Sequence, residues 1–124
     1  MYKELNLKMA DGSEKKLGFL AVGSTPYRYK QIFKQDLMKD ITKLLGKDME
    51  TVGEDADFSV TDKLAFIMNC QAEKKDLNCQ NFDVFLDWVD QFETSELFNH
   101  ISDFIGIYLG NKESTSNPKK EDEP

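Results

Sequence analysis

The chain has 124 residues, 40% of them apolar and 31% charged, so it holds one domain whose core needs neither disulfides nor metal. The net charge of −7, with Arg28 as the sole arginine, opposes a role in binding nucleic acid, because phosphate recognition depends on positive charge and favours arginine. No apolar stretch approaches the roughly 18 residues of a membrane span, and the first residues lack the apolar run of a signal peptide, so we expect neither a membrane protein nor an exported one.

Residues 3–22 carry the pattern of a β-hairpin. Apolar and polar residues alternate on both sides of a turn sequence, Ala10–Ser13. An isolated hairpin is only marginally stable in water, so we expect helices from the rest of the chain to cover its apolar face. The alternating apolar residues are Leu5, Leu7 and Met9 before the turn and Leu17, Phe19 and Ala21 after it.

A helical block is predicted at about 26–46. Ser24 and Thr25 precede Pro26, an arrangement typical of a helix N-terminus, and apolar residues then recur at helical spacing up to Gly46. The block forms either one bent helix or two short ones. The following residues, 47–58, are acidic and lack periodicity, which predicts an exposed connection.

The next two helices are predicted at about 60–74 and 82–92. The first begins in a capping pattern, with Ser59 followed three residues later by Asp62, and carries a narrow apolar stripe. The second begins at Asn81. The second helix has a wide apolar face opposite three aspartates, and we expect Trp88 on that face to be mostly buried. The apolar residues are Phe82, Phe85, Leu86, Trp88, Val89 and Phe92, and the aspartates are Asp83, Asp87 and Asp90.

The last helix is predicted at about 96–109, between a capping Ser95 and a terminating Gly110. Residues 111–124 contain no apolar side chain that could offset the entropy lost on ordering, so we expect a disordered polar tail. The predicted fold is therefore α+β and mainly α. A single domain, residues 1–110, packs its N-terminal hairpin on about four helices.

The chain carries no motif for catalysis or for cofactor binding among the phosphate-binding, dinucleotide-binding, esterase and metalloprotease patterns. His100, Cys70 and Cys79 have none of the spacings of a zinc site, and we expect both thiols to be free. The aspartates on the helices have the spacing of solvated faces, whereas acid–base catalysis needs a desolvated carboxylate. We therefore expect no enzyme activity, no cofactor and no metal.

Three segments share their order and spacing with those of one known family: Ser24–Leu37, Leu64–Met68 with Gln71 and Ala72, and Phe85–Phe92. In the first, a small-residue turn is followed by an arginine–aromatic pair, a phenylalanine and an Asp–aliphatic step. With the strand-first layout and the polar tail, these segments resemble the tail assembly chaperones of long-tailed bacteriophages and prophages of Gram-positive bacteria, over roughly residues 17–110. Lys34 departs from the pattern, in which glycine often follows the phenylalanine.

The resemblance implies a non-enzymatic protein of virion assembly that binds the long, aggregation-prone tape measure protein and helps the major tail tube protein to polymerise around it. Such a chaperone acts in the cytoplasm of the bacterial host and is absent from the mature virion, and weak self-association between neighbouring copies is a further expectation. The alternative is a small cytoplasmic regulator or adaptor that binds one host protein, because such a protein would have the same composition.

Six residues on the resembling segments are candidates for partner binding or for a structural role. For each aromatic side chain both readings stay open, and a place in the core is the more frequent of the two. We expect the Arg28 guanidinium to pair with the carboxylate of Asp36 or with one from another helix, because its planar fork suits a carboxylate. The six are Arg28, Tyr29, Phe33, Asp36, Trp88 and Phe92.

Overall fold

The computed structural model describes residues 1–45, 57 and 59–110, and in it an antiparallel two-stranded sheet packs on a group of helices. The predicted α+β, mainly α, fold is confirmed. The tail predicted at 111–124 and the connection predicted at 47–58, apart from Asp57, lie outside the described residues. The elements are β1 (Tyr2–Lys8), β2 (Glu14–Leu20), α1 (Thr25–Phe33), α2 (Leu37–Leu45), α3 (Ser59–Ala72), a 3₁₀ turn (Leu77–Cys79), α4 (Phe82–Asp90), α5 (Glu96–Asn99) and α6 (Ile101–Leu109).

The turn of the hairpin is closed by its own polar residues. Gly12 adopts a φ of +91°, a conformation that side chains oppose, and Asp11 Oδ1 accepts hydrogen bonds from the Ser13 backbone N–H at 2.9 Å and from its hydroxyl at 2.6 Å. Beyond the turn, Leu5 lies opposite Leu17 and both are buried. The alternation in the sequence therefore predicts correctly which face of the hairpin turns inward.

Helix α3 lies at the centre of the molecule, in contact with β2 and with each of the other α-helices. All seven residues of Leu64–Cys70 are buried, including the polar Asn69. The prediction of a narrow apolar stripe is therefore wrong, because neighbouring elements surround this helix on every side.

Within the described residues no helix is long and apolar enough to cross a membrane.

Side chains from the helices bond to one end of each outer edge of the sheet. On β2, the Leu20 carbonyl accepts a hydrogen bond from Gln71 Nε2 at 2.6 Å, and on β1, the Lys8 N–H donates to the Glu96 carboxylate at 3.0 Å. An open strand edge invites pairing with another chain. These bonds therefore dock the hairpin on the helices and occupy the edge groups at those positions.

The block predicted at 26–46 is divided into α1 and α2. Helix α1 ends at Phe33 because Lys34 takes a left-handed conformation, with a φ of 60°, in which its N–H still closes the last turn. Asp36 then caps α2, where its carboxylate accepts the Lys39 N–H at 3.0 Å. The break falls at the position where the resembling family often has glycine.

Replacing Lys34 with glycine should raise the free energy of unfolding by about 0.5–1 kcal/mol, because glycine adopts the left-handed conformation without a steric cost. Urea denaturation followed by tryptophan fluorescence measures the change. Lys30→Gly within α1 is the control and should lower the same free energy by about 1 kcal/mol. A loss of stability in Lys34→Gly would mean that the 3.0 Å bond from Lys34 Nζ to the Gln31 carbonyl outweighs the backbone strain.

The single helix predicted at 96–109 is wrong, because the chain divides at His100 into α5 and α6. The two helices pack on different strands. Glu96 of α5 bonds to β1, whereas the Phe104 ring of α6 packs edge-on against Phe19 of β2, with 4.9 Å between ring centroids. The His100 backbone, at φ −103° and ψ 21°, redirects the chain between them. Its imidazole lies 3.1 Å from a carboxylate oxygen of Glu96 and the same distance from one of Asp103.

The remaining helix ends follow local signals in part. The Asn81 side chain accepts the Val84 N–H at 2.9 Å, and Gly110 ends α6 with a φ of 65°, both as predicted. Ser95 differs: it has a φ of 70° and its hydroxyl caps nothing. Helix α3 ends at Ala72 rather than 74 because Lys74 turns left-handed, and α4 ends at Asp90 rather than 92 because the chain leaves the helix to pair with the hairpin.

Candidate binding groove

Four of the six candidate residues belong to one aromatic cluster of the core. Tyr29 is fully buried, Phe33 is half-buried, and Trp88 and Phe92 are 7% and 6% exposed, so the prediction of a buried tryptophan is confirmed. Centroids of successive rings are 5.2 Å apart for Tyr29–Phe33, 6.4 Å for Phe33–Phe66, 5.5 Å for Phe66–Trp88 and 4.8 Å for Trp88–Phe92. These side chains stabilise the core, and Phe92 alone of the four also lines the groove described below.

Arg28 and Asp36 lie outside this cluster. Arg28 Nε donates a hydrogen bond to Ser24 Oγ at 3.2 Å and forms no ion pair with the described part of the chain. The predicted pairing of Arg28 with Asp36, or with a carboxylate from another helix, is therefore wrong for the described residues. The Asp36 carboxylate instead accepts the Lys39 N–H at the start of α2. Neither side chain has a contact that points to a ligand.

A groove of about 660 Å³ opens between the hairpin turn, the start of α3, the end of α4 and α5; we call it the binding groove. Its apolar lining, which we call the floor, includes Val89, Phe92 and Leu97, of which the last two are buried. Its volume falls within the roughly 300–1,000 Å³ of sites that hold ligands or side chains. The groove is therefore wide enough to admit side chains from another molecule.

Backbone hydrogen bonds fix one wall of the binding groove. After α4 the chain runs antiparallel to the end of β1, where Ala10 N–H donates to the Gln91 carbonyl at 2.9 Å and Glu93 N–H donates to the Lys8 carbonyl at 3.0 Å. Phe92, between these bonds, forms a bridge with Met9. The last residues of α4 and the chain that follows them are thus held against the hairpin.

Asp62 lies in the groove on the first turn of α3 without a partner. Its carboxylate makes no hydrogen bond or ion pair with the described residues, and burial raises its pKa to about 6. The adjacent cation, Lys63, does not pair with Asp62. Its Nζ donates a hydrogen bond to Gln35 Oε1 at 2.7 Å and lies 4.0 Å from Asp57 Oδ2. The groove therefore contains a half-buried carboxylate that a cation from outside could pair.

Replacing Asp62 with asparagine should raise the free energy of unfolding by about 1–2 kcal/mol at pH 7.5, a value reduced for partial exposure and for the favourable helix dipole. The folded-state pKa lies above the ordinary value of 3.8, so ionised Asp62 destabilises the fold above pH 6. The gain from the substitution should therefore shrink as the pH falls through 6 and vanish below 3.8.

Urea denaturation between pH 4 and pH 8 measures this dependence. Asp83→Asn is the matched control, because Asp83 also lies in the first turn of a helix but is exposed. We expect that variant to be slightly less stable than the parent protein. A gain for Asp62→Asn that is equal at pH 4 and pH 7.5 would contradict the assignment of a buried charge.

The wide apolar face predicted for α4 is only partly buried. Phe85 and Trp88 point into the core, whereas Phe82 is 52% and Leu86 is 43% exposed. The three aspartates of this helix are exposed, as expected.

The sequence places Asp62 only at a helix start and does not single out Glu93 at all. Neither residue has neighbours along the chain that would indicate a groove.

In residues 1–45, 57 and 59–110, no group of three or more histidine, cysteine, aspartate or glutamate side chains is placed to hold a metal ion. Burial raises the pKa of the Cys70 thiol to about 11, which leaves it protonated and unreactive, and Cys79 is exposed.

No protein-family model, curated protein or solved structure matches the chain.

Proposed function

We propose that this protein is a non-enzymatic tail assembly chaperone, which binds the tape measure protein of a long-tailed phage and promotes polymerisation of the tail tube protein around it. It would act in the host cytoplasm and leave before the virion is complete. The observation that carries the proposal is the binding groove, in which an apolar floor lies beside the unpaired Asp62 carboxylate. Such a surface suits a segment of another protein.

The resemblance to the chaperone family supports the proposal through the core. The three resembling segments contribute Phe33, Phe66 and Phe85 to the aromatic cluster, where the Phe33–Phe85 centroids are 5.0 Å apart and the Phe66–Phe85 centroids are 5.5 Å apart. Residues that meet in one core constrain one another in size and shape. The three segments therefore belong to one core, so a relation to the chaperone family would constrain them together.

A tape measure protein would expose apolar surface that the binding groove could cover. Before the tube surrounds it, a long helical protein exposes apolar stripes to water, and exposed stripes promote aggregation. A groove with an apolar floor can cover part of a stripe by taking side chains at helical spacing. The net charge of −7 on the chaperone would then keep the coated complex soluble.

Co-expression of the full chain with the long helical product of the neighbouring tail gene tests the proposal. We expect the long product to become soluble and to co-purify with the wild-type chain. Val89→Glu, which places a charge on the groove floor, should abolish this effect. Leu86→Glu, the same kind of change on the outer face of α4, should retain it, provided that circular dichroism shows both variants to be folded.

Two other outcomes of the co-expression experiment would change the proposal. A long product that stays insoluble with the wild-type chain would overturn the chaperone function and favour the regulator or adaptor. Loss of solubilisation with Leu86→Glu but not with Val89→Glu would retain the chaperone function and move the binding surface to the outer face of α4.

A further inference from the structure

We infer that the binding groove recognises a helical segment which carries a lysine or arginine within its apolar stripe, and that Asp62 is the anionic contact for that cation. The inference deepens the proposed function and rests on it. It concerns the chemistry of the partner rather than the act of binding, and it follows from three properties of the groove.

The first property is charge. Asp62, Asp90 and Glu93 line the groove, whereas no lysine or arginine does so among the described residues, although the chain contains 16 basic residues. Complementary charge selects a partner and like charge rejects one. A stripe with a carboxylate at the matching position would be repelled, and a stripe with a cation would be attracted.

The second property is the lack of any internal partner for Asp62. A partly buried carboxylate loses hydration that the protein must replace, and no described residue donates a hydrogen bond to it. An incoming ammonium or guanidinium group would supply a charge-assisted hydrogen bond at this place, while neighbouring apolar residues cover Val89 and Leu97 on the floor. Binding would therefore relieve a cost that the free protein carries.

The third property is the covered edge of β1 beside the groove. Its last polar groups are already bonded, because Lys8 N–H donates to Glu96 and the Lys8 carbonyl accepts from Glu93. An extended peptide that added a strand here would find no free backbone partners. A helix satisfies its own backbone and needs only side-chain contacts, so the occupant that fits is a helix.

A titration with three synthetic peptides of about 18 residues, or five helical turns, tests the inference. The peptides are amphipathic, built from leucine, alanine and glutamine, and differ only in one residue of the apolar stripe, which is lysine, glutamine or glutamate. The ¹⁵N-labelled full chain is titrated with each peptide by NMR. We expect the lysine peptide to shift the resonances of Val89, Glu93 and Leu97 and to bind about tenfold more tightly than the glutamine peptide, with the glutamate peptide weakest.

Two variants separate Asp62 from the overall charge. Asp62→Asn should abolish the preference for the lysine peptide, whereas Asp83→Asn, the same charge change at an exposed site outside the groove, should keep it. The ¹³C titration of the Asp62 carboxyl should move to lower pH when the lysine peptide is bound. Equal affinity for the three peptides, equal effects of the two variants, or shifts confined to another surface would each overturn the inference.

The result is distinguishable from the test of the chaperone function. If the wild-type chain solubilises the tape measure protein but shows no preference among the peptides, the inference fails and the function stands. If the peptide preference holds but co-expression fails, the groove selects a basic helix of a different partner, and the chaperone function fails.

Discussion

Replacing Asn69 with alanine should lower the free energy of unfolding by about 3–4 kcal/mol, because two buried polar groups then lose their partner. Asn69 is 1% exposed and joins three elements of the fold. Its Nδ2 donates to the Gly18 carbonyl of β2 at 2.9 Å, and its Oδ1 accepts the indole N–H of Trp88 in α4 at 3.0 Å. Urea denaturation followed by circular dichroism measures the loss.

Comparison variants show whether the loss comes from unsatisfied polar groups. Adding Trp88→Phe to Asn69→Ala removes the orphaned indole N–H, so the double variant should lose less than the sum of the two single losses. Asn78→Ala is the control at an exposed asparagine and should change the free energy of unfolding by less than about 0.5 kcal/mol. A loss below about 1 kcal/mol for Asn69→Ala would mean that these bonds do not dock the hairpin.

Replacing Phe66 with alanine should lower the free energy of unfolding by about 3–5 kcal/mol, because it opens a cavity in the centre of the aromatic cluster. Phe66 is 1% exposed, and its ring lies 5.5 Å from each of the Phe85 and Trp88 rings, measured between centroids. The same denaturation experiment measures the effect, and the midpoint should fall without a change in the slope.

Phe82→Ala is the matched control for this substitution. Phe82 is 52% exposed, although its ring also contacts Phe85 at 5.7 Å. Since little of its surface is removed from water, we expect a loss below about 1 kcal/mol. Equal losses for Phe66→Ala and Phe82→Ala would contradict the placement of α3 at the centre of the fold.

Local patterns in the sequence determined the hairpin, the helical composition and several element ends. Alternation of period two identified the buried face that includes Leu5 and Leu17. Helix α4 begins after Asn81 and α6 ends before Gly110 as predicted, because a cap acts on backbone groups within one turn. The burial of Trp88 followed from the apolar face of a single helix. Each of these signals is contained in a few neighbouring residues, so it can be recognised without knowledge of the fold.

The tertiary structure alone decided which residues meet and which charges lose water. Asn69 is buried because β2 and α4 both pack against the part of α3 that carries it. The chain divides at His100 because α5 bonds to β1 whereas α6 packs its Phe104 ring on β2. Asp62 has the sequence context of an ordinary helix start. Its half-buried carboxylate lies in a groove that is also lined by the end of α4 and the start of α5, which follow much later in the chain. Desolvation depends on every neighbour in space, and a sequence pattern records only the neighbours along the chain.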